Sequence, residues 1–298
     1  MTQRFLDPQV LAGIANLELT AKTVVDGFIA GHHRSPDFGF SQEFAEYRAY
    51  TPGDDLRYVD WNVYARADRL YLKRYRGETN TRLTILLDRS ASMGYKGAAE
   101  RILRKIDYAR FLAASLAYLA HQQRDAVGLI SFDDDVRDYV EPSSRHGQWL
   151  KVLYSLDRSE PGQRTDFARP FHHFQQFLQR RGIVLVVSDF YAPAAEVVNT
   201  VAPLRHRGND VILMHVLDPE EVEPRLGGSR ILIDMETGAE LEVSPEYAAG
   251  PYREKMRAHL EEMQSKASGA GLGYALTLTN QPLDEALRKY LIVREGRP

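Results

Sequence analysis

Apolar and polar residues follow two different periods along this chain, and the change of period divides it into regions. Between residues 8 and 30, Val10, Ile14, Leu17, Ala21, Val24 and Phe28 recur every three or four positions, on one face of a predicted helix. Such a helix docks on its own domain, the preferred reading, or offers its stripe to a partner. His32 to Gly39 reads as a loop, marked by Pro36 and Gly39. Glu43–Tyr50 and Leu70–Arg76 then read as strands. Between them Pro52-Gly53 suits a type II turn, and Asp60 is placed to cap a short helix running through Arg66.

From Leu83 onward, short apolar runs alternate with amphipathic stretches. Strands are predicted at 83–87, 127–132, 183–187 and 211–217, and helices near 100–121, 147–156, 167–180 and 194–205. In the first of these helices Ile102, Ile106, Ala109, Ala113 and Leu116 make one stripe. Ile183–Val187 is wholly apolar, as expected of a central strand covered on both faces. This alternation is the signature of a mostly parallel sheet flanked by helices. The remainder continues it. Arg230–Ile233 and Ala239–Val243 flank Thr237-Gly238 as a hairpin, a helix spans about 246–267, Tyr274–Leu278 is a strand, and a last helix follows Gln281-Pro282. The expected layout is therefore an N-terminal helix and β-arm over 1–80, an α/β core over 81–217, and an αβ extension over 218–298 that completes the same sheet.

Composition narrows the function classes. The 298 residues are 44% hydrophobic and 27% charged, with a formal net charge of −3, which gives no global pull toward nucleic acid or anionic membrane. Cysteine is absent, so disulfides, thiolate zinc sites and a cysteine nucleophile are excluded. No apolar stretch is long enough to span a bilayer, Met1–Asp7 lacks a signal-peptide layout, and Arg294–Pro298 carries no prenylation box. The expectation is a cytoplasmic protein with no membrane span.

The candidate chemistry lies where strands end. Asp88-Arg89-Ser90-Ala91-Ser92 follows the strand 83–87 and places one carboxylate and two hydroxyls at alternate positions of a tight loop. Hard oxygen donors of this kind suit a hard divalent cation. Asp189 follows the strand 183–187, and Thr165 lies in the loop before the helix at 167, so both emerge on the same rim if the strands are parallel neighbours. Five residues thus converge: Asp88, Ser90, Ser92, Thr165 and Asp189. On the same rim, Asp133-Asp134-Asp135 reads as a solvated hairpin turn in preference to a second cation site. Asp166 reads as a helix cap.

Asp-x-Ser-x-Ser after a first strand, a distant threonine and a later aspartate resemble the metal-ion-dependent adhesion site of von Willebrand factor A domains, over residues 80 to 217. Glu43-Phe44, Arg48-Ala49-Tyr50, Pro52-Gly53-Asp54-Asp55, Arg57, Asp60-Trp61-Asn62 and Ala65-Arg66, with Leu217-Asp218-Pro219-Glu220, resemble domain-of-unknown-function family fifty-eight over most of the chain. The resemblance implies a Rossmann-like von Willebrand factor A fold. It further implies Mg²⁺ (or Mn²⁺ or Ca²⁺) held by Ser90, Ser92 and Thr165 directly and by Asp88 and Asp189 mostly through water. One position stays open for a carboxylate of a partner protein. Members are commonly encoded beside MoxR-type AAA+ ATPases, which implies such a partner here. For Asp54, Asp55, Arg57, Asp60, Trp61 and Arg66 a structural ion-pair network is favoured over a partner-binding surface.

The leading expectation is a non-enzymatic adaptor. Two rivals stand beside it. A metal-dependent hydrolase or phosphotransferase could use Asp88 as nucleophile, but Ser90 occupies the position where an aspartyl-phosphate enzyme needs its acid. Nucleotide-binding, Gly-x-Ser-x-Gly and His-Glu-x-x-His motifs are absent as well. A nucleic-acid binder could use Arg66, Arg69, Lys73, Arg74, Arg76 and Arg82 with Tyr71 and Tyr75 interleaved, though upstream aspartates balance that stripe. His215 reads as a core histidine.

Overall fold

The computed structural model describes residues 16–32, 44–49, 59, 63–64, 70–75, 81–98, 103–162, 168–178 and 180–295. The described residues between 28 and 80 form one compact unit. Those up to 27, together with those from 81 onward, form the other.

Helix α1 spans Leu17–His32, and its first free N–H groups donate to the Asn16 side chain at 2.9 and 3.3 Å. The expected stripe turns inward, with Ala21, Val24 and Val25 fully buried and Lys22 Nζ 5.3 Å above the Trp149 ring. The first half of the predicted helix, with Val10 and Ile14, lies outside the described residues. In the smaller unit β1 (Phe44–Ala49) pairs antiparallel with β2 (Tyr71–Tyr75), and Glu46 stands opposite Arg74 in the register. The Pro52-Gly53 turn and the Asp60 cap lie outside the described residues.

The larger unit is built on a sheet of β3 (Arg82–Asp88), β4 (Ala126–Phe132), β5 (Val136–Ser143), β6 (Ile183–Ser188), β7 (Asp210–Leu217) and a last strand, Gly273–Leu278. Two short strands intervene in the chain, β8 (Arg230–Ile233) and β9 (Glu240–Val243), and form a separate antiparallel ribbon, so the last strand is β10. The order across the sheet is β5-β4-β3-β6-β7-β10, parallel throughout except for β5. Counted within the sheet this is 3-2-1-4-5-6, the doubly wound Rossmann-like arrangement expected of a von Willebrand factor A fold. Its helices are α2 (Lys105–Gln122), α3 (Gln148–Asp157), α4 (Ala168–Phe177), α5 (Ala194–His206), a short α6 (Pro219–Val222), α7 (Arg253–Gly269) and α8 (Leu283–Glu295). One face of the sheet packs Leu86, Val186 and Leu213 against α4, α5 and α7. The opposite face takes α2 and α8. Burial on both faces explains why Ile183–Val187 of β6 is wholly apolar: each such side chain contributes roughly 1.5–3 kcal/mol when removed from water.

Two elements differ from the sequence reading. The hairpin after β4 carries a full strand, β5, whose polar residues hid it. It is an edge strand, partly exposed, and it tolerates Pro142, which an interior strand would not. Gly128 of β4 makes room, since a Cβ there would lie 2.6 Å from Pro142 Cγ. The helix expected over 246–267 is present but not regular: it runs as α-helix at Pro245–Tyr247, widens to a π-helical turn at Ala248–Tyr252 and continues as α7. Pro251 has no N–H to give and crowds the carbonyl one turn back, so the helix widens there. Among the described residues no helix is long and apolar enough to cross a membrane.

Candidate metal-binding rim

The chain leaves β3 toward β4 and β5 on one side, then returns to β6 and builds toward β7 and β10 on the other. The reversal falls between β3 and β6, and the crevice outside the carboxyl ends of such a strand pair is where doubly wound sheets bind ligands. Asp88 ends β3 and Asp189 follows β6, so two of the expected donors stand at this switch point.

Asp88 is fully buried. Its Oδ1 accepts the Ser90 N–H at 2.8 Å, the local turn expected of an aspartate at a strand end, and its Oδ2 accepts the Ser188 hydroxyl at 2.6 Å. Burial first, and the neighbouring Asp189 second, push its pKa up to about 7 against these two bonds. Ser90 is also fully buried, with its hydroxyl 3.0 Å from that of Ser92. Met93, fully buried in the 3-10 turn Ala91–Gly94, anchors this loop. Ser90 and Asp189 follow their strands as expected, and both are buried.

Asp189 is held differently. Its Oδ2 accepts from Lys105 Nζ at 2.7 Å, and the same ammonium donates to Glu221 Oε1 at 2.7 Å while lying 4.7 Å from the Tyr191 ring. Lys105 is fully buried. Burial, the largest influence, lowers its pKa, but Asp189 and Glu221 together outweigh it and raise the lysine above its ordinary value. Burial pushes Glu221 up, with Lys105 opposing. Glu221 is fixed in turn by the capping box at the start of α6, where Asp218 accepts from the helix and Glu221 accepts the Asp218 N–H at 2.8 Å. The sequence reading missed Lys105. The signal was present: a lysine immediately before the stripe residue Ile106, at the helix start that faces the rim. Phe190, next to Asp189, has φ +45°, a left-handed conformation that costs an aromatic residue about 1–2 kcal/mol. Its N–H donates to Ser188 Oγ at 3.0 Å, which ties the strained turn to Asp88's own partner.

Thr165 and Asp166 lie outside the described residues, but the loop that leads to them reaches the rim. The Gly162 N–H donates to Arg89 O at 2.6 Å, and a Cβ on Gly162 would collide with Asp133 Oδ2. Asp133 is not the solvated turn residue expected. It is almost fully buried and accepts from Arg137 Nε at 2.5 Å, whereas Asp134 and Asp135 remain partly exposed. The hairpin folds its first carboxylate inward because Arg137, one turn along, supplies the compensating charge. Asp54, Asp55, Arg57, Asp60, Trp61 and Arg66, with Arg69 and Arg76 of the basic stripe, lie outside the described residues. His215 is a buried core residue whose Nδ1 lies 2.9 Å from Tyr274 Oη. Burial and His259 hold its pKa down to about 3.

The donors that converge on the rim are therefore two buried carboxylates and a hydroxyl pair, with oxygen alone as ligand atom. Among the described residues no three carboxylate, imidazole or thiolate groups cluster in ligand geometry, so a cation here would depend on the hydroxyls and on water. That donor set fits Mg²⁺, which keeps waters and uses few carboxylates. The Asp88 carboxylate, buried among neutral partners, is a place where positive charge is wanting.

Residues 46–266 match the family model described as protein of unknown function DUF58. An uncharacterized protein of Mycobacterium tuberculosis, strain H37Rv, is 28% identical over 271 residues, which is 89% of this chain and 83% of that protein. An uncharacterized protein of Mycobacterium bovis matches equally. Among solved structures, an aerotolerance-related membrane protein from Bacteroides fragilis is 16% identical with a TM-score of 0.49. The conserved hypothetical protein BatB from Bacteroides thetaiotaomicron is 16% identical with a TM-score of 0.47. Each likeness covers 72% of this chain and 98% of the other. The von Willebrand factor A domain of SpRpn10 is 10% identical with a TM-score of 0.41, over 70% of this chain and 93% of that domain.

Proposed function

The chain belongs to the DUF58 family of proteins of unknown function, and on that premise we propose that it is a non-enzymatic, metal-dependent protein-binding module, an adaptor working with a MoxR-type AAA+ ATPase. The observation that carries the reading is the meeting of Asp88, Ser90, Ser92 and Asp189 at the switch point of the sheet, with oxygen donors only. Ser90 and Ser92, with Thr165, would hold a divalent cation directly, and Asp88 and Asp189 would hold its water. The bound ion would supply a Lewis-acidic position for a carboxylate of the partner. The chain's own residues do the rest. Ser188 and the Ser90 N–H fix the Asp88 carboxylate in one orientation, and Lys105 fixes one oxygen of Asp189. The ATPase as partner is supported by the family resemblance.

Calorimetry of the metal-stripped chain with Mg²⁺ and Mn²⁺ tests this, beside Ser92→Ala. Saturable one-site binding that weakens at least tenfold in the variant is the expected result. Absence of binding to either ion would remove the metal from the function.

A further inference from the structure

Beside the rim lies a groove of about 1130 Å³. Ser92 and Asp189 line it together with Tyr95, Tyr191 and Tyr252, and so do Ile231, Ile233 and Val243 of the β8–β9 ribbon. The ribbon is unusual. Two four-residue strands are marginal in water by themselves. Yet Ile231 is 62% exposed, Ile233 61% and Leu241 57%, while Val243 alone of the ribbon's strand residues is buried. The register sets Ile231 opposite Glu242 and Ile233 opposite Glu240, so one face carries aliphatic and carboxylate columns side by side. Among the described residues β8 and β9 pair only with each other, and each therefore has an outer edge of backbone donors and acceptors.

Charge decides what fits there. Between Arg230 and Val243 the ribbon has four carboxylates, Asp234, Glu236, Glu240 and Glu242, against one arginine. Asp134, Glu196 and Glu220 line the same groove and outnumber the two arginines there, Arg169 and Arg225, while the buried Lys105 is engaged by Asp189 and Glu221. A second copy of the chain would set acidic ribbon on acidic ribbon, and like charges directly opposed destabilise a strand pair. A strand added at the outer edge of β9 that alternates Lys or Arg with aliphatic side chains sets its cations beside Glu240 and Glu242 on one face and its aliphatic residues beside Leu241 on the other.

We infer that the β8–β9 ribbon and its groove are the docking site for an extended, basic and aliphatic segment of a partner protein, which adds a strand to the ribbon. The inference rests on the reading of the chain as a protein-binding module and supplies the chemistry of the partner. It does not require the metal. A carboxylate destined for the rim would be a single acidic residue at one end of an otherwise basic segment.

The test is selection from a random twelve-residue peptide library displayed on phage, against the immobilised full chain with Mg²⁺ and separately with EDTA. Fluorescence anisotropy of the consensus peptide follows. Enrichment of peptides alternating Lys or Arg with Val, Ile or Leu is expected. Ile231→Lys/Ile233→Lys, at exposed positions that leave the thermal melt unchanged, should weaken binding at least tenfold. Glu240→Lys/Glu242→Lys should turn the preference toward acidic peptides. Acidic or charge-neutral consensus sequences, no enrichment, or binding indifferent to the ribbon variants would each overturn the inference. So would a dimer that dissociates on Ile231→Lys, which would make a second copy the occupant. Binding lost in EDTA and Ser92→Ala but kept in the ribbon variants overturns this inference while sparing the metal reading. Binding that survives EDTA and fails in the ribbon variants does the reverse.

Discussion

Asp88 and Asp189 leave neighbouring strands at one edge of the sheet and are almost equally buried, yet they are held in opposite ways. Asp189 faces a buried ammonium that it shares with Glu221, whereas Asp88 faces a hydroxyl and a backbone N–H. One side of the rim has its counter-charge built in; the other lacks one. A buried carboxylate with only neutral partners is expensive to ionise, and a cation from solution would relieve that cost on the Asp88 side. The asymmetry also implies that the two aspartates fail differently when their surroundings change.

The largest difference should follow from removing the built-in charge. Lys105→Met keeps most of the side-chain volume but leaves Asp189 and Glu221 buried without a cation. A loss of about 3–5 kcal/mol is expected in urea unfolding, the cost of breaking a buried ion pair from one side. The deficit should be greater at pH 8 than at pH 5, where Glu221, already pushed up by burial, can take up a proton. A loss under about 1 kcal/mol would mean that Lys105 is not what keeps this half of the rim folded.

Asp88→Asn should have the opposite sign. The folded-state pKa of Asp88, about 7, exceeds its unfolded value of 3.8. The native state therefore holds more protons between these values, and the contribution of Asp88 to stability is complete below about 4 and lost as pH rises through 7. Each unit in that window is worth about 1.4 kcal/mol. In EDTA at pH 8 the asparagine variant should be the more stable by roughly 2–4 kcal/mol, and at pH 4 the two should agree. Asparagine keeps an acceptor for the Ser90 N–H. His215, held neutral down to about 3, loses stability on acidification in both proteins, so the difference between them isolates Asp88. Wild type and variant with equal stability at pH 8 would show that Asp88 has a counter-charge already.

Metal should close most of that gap. At a hundredfold excess of Mg²⁺ over Kd the wild type should gain about 2.7 kcal/mol. Asp88→Asn and Ser92→Ala should gain little at the same concentration. Thermal melts with and without EDTA read this directly. Ser92 is the cleaner substitution, because it is partly exposed whereas Ser90 is sealed in and Asp189 is the partner of Lys105.

The same contrast explains what was legible in the sequence. Strands β3, β4, β6 and β7 announce themselves because burial on both faces demands largely apolar runs, and the polar residues after β3 and β6 mark the rim where Asp88 and Asp189 emerge. The place of Lys105 at a helix start was legible but its role was not, since that role depends on two carboxylates 84 and 116 residues away that only the folded sheet brings to it. Strand β5 hid because an edge strand needs no apolar run, and Asp133 because a carboxylate in a turn reads as solvated until Arg137 is seen beside it. The widening at Ala248–Tyr252 was announced by Pro251, which the helix pattern around it overrode.

The smallest effect on stability should come from the ribbon, and there smallness is the point. Ile231 and Ile233 are more than half exposed, so Ile231→Thr or Ile233→Thr removes little buried area and should change unfolding free energy by no more than about 0.5 kcal/mol. A rim residue such as Lys105 cannot be changed so cheaply, because its partners are buried with it. Apolar side chains that the fold itself does not need are the mark of a surface kept for contact with something else. If urea unfolding instead shows either threonine variant costing 2 kcal/mol or more, Ile231 and Ile233 serve the chain's own core. The ribbon would then belong with the rim, as structure, and its exposed column would say nothing about a partner.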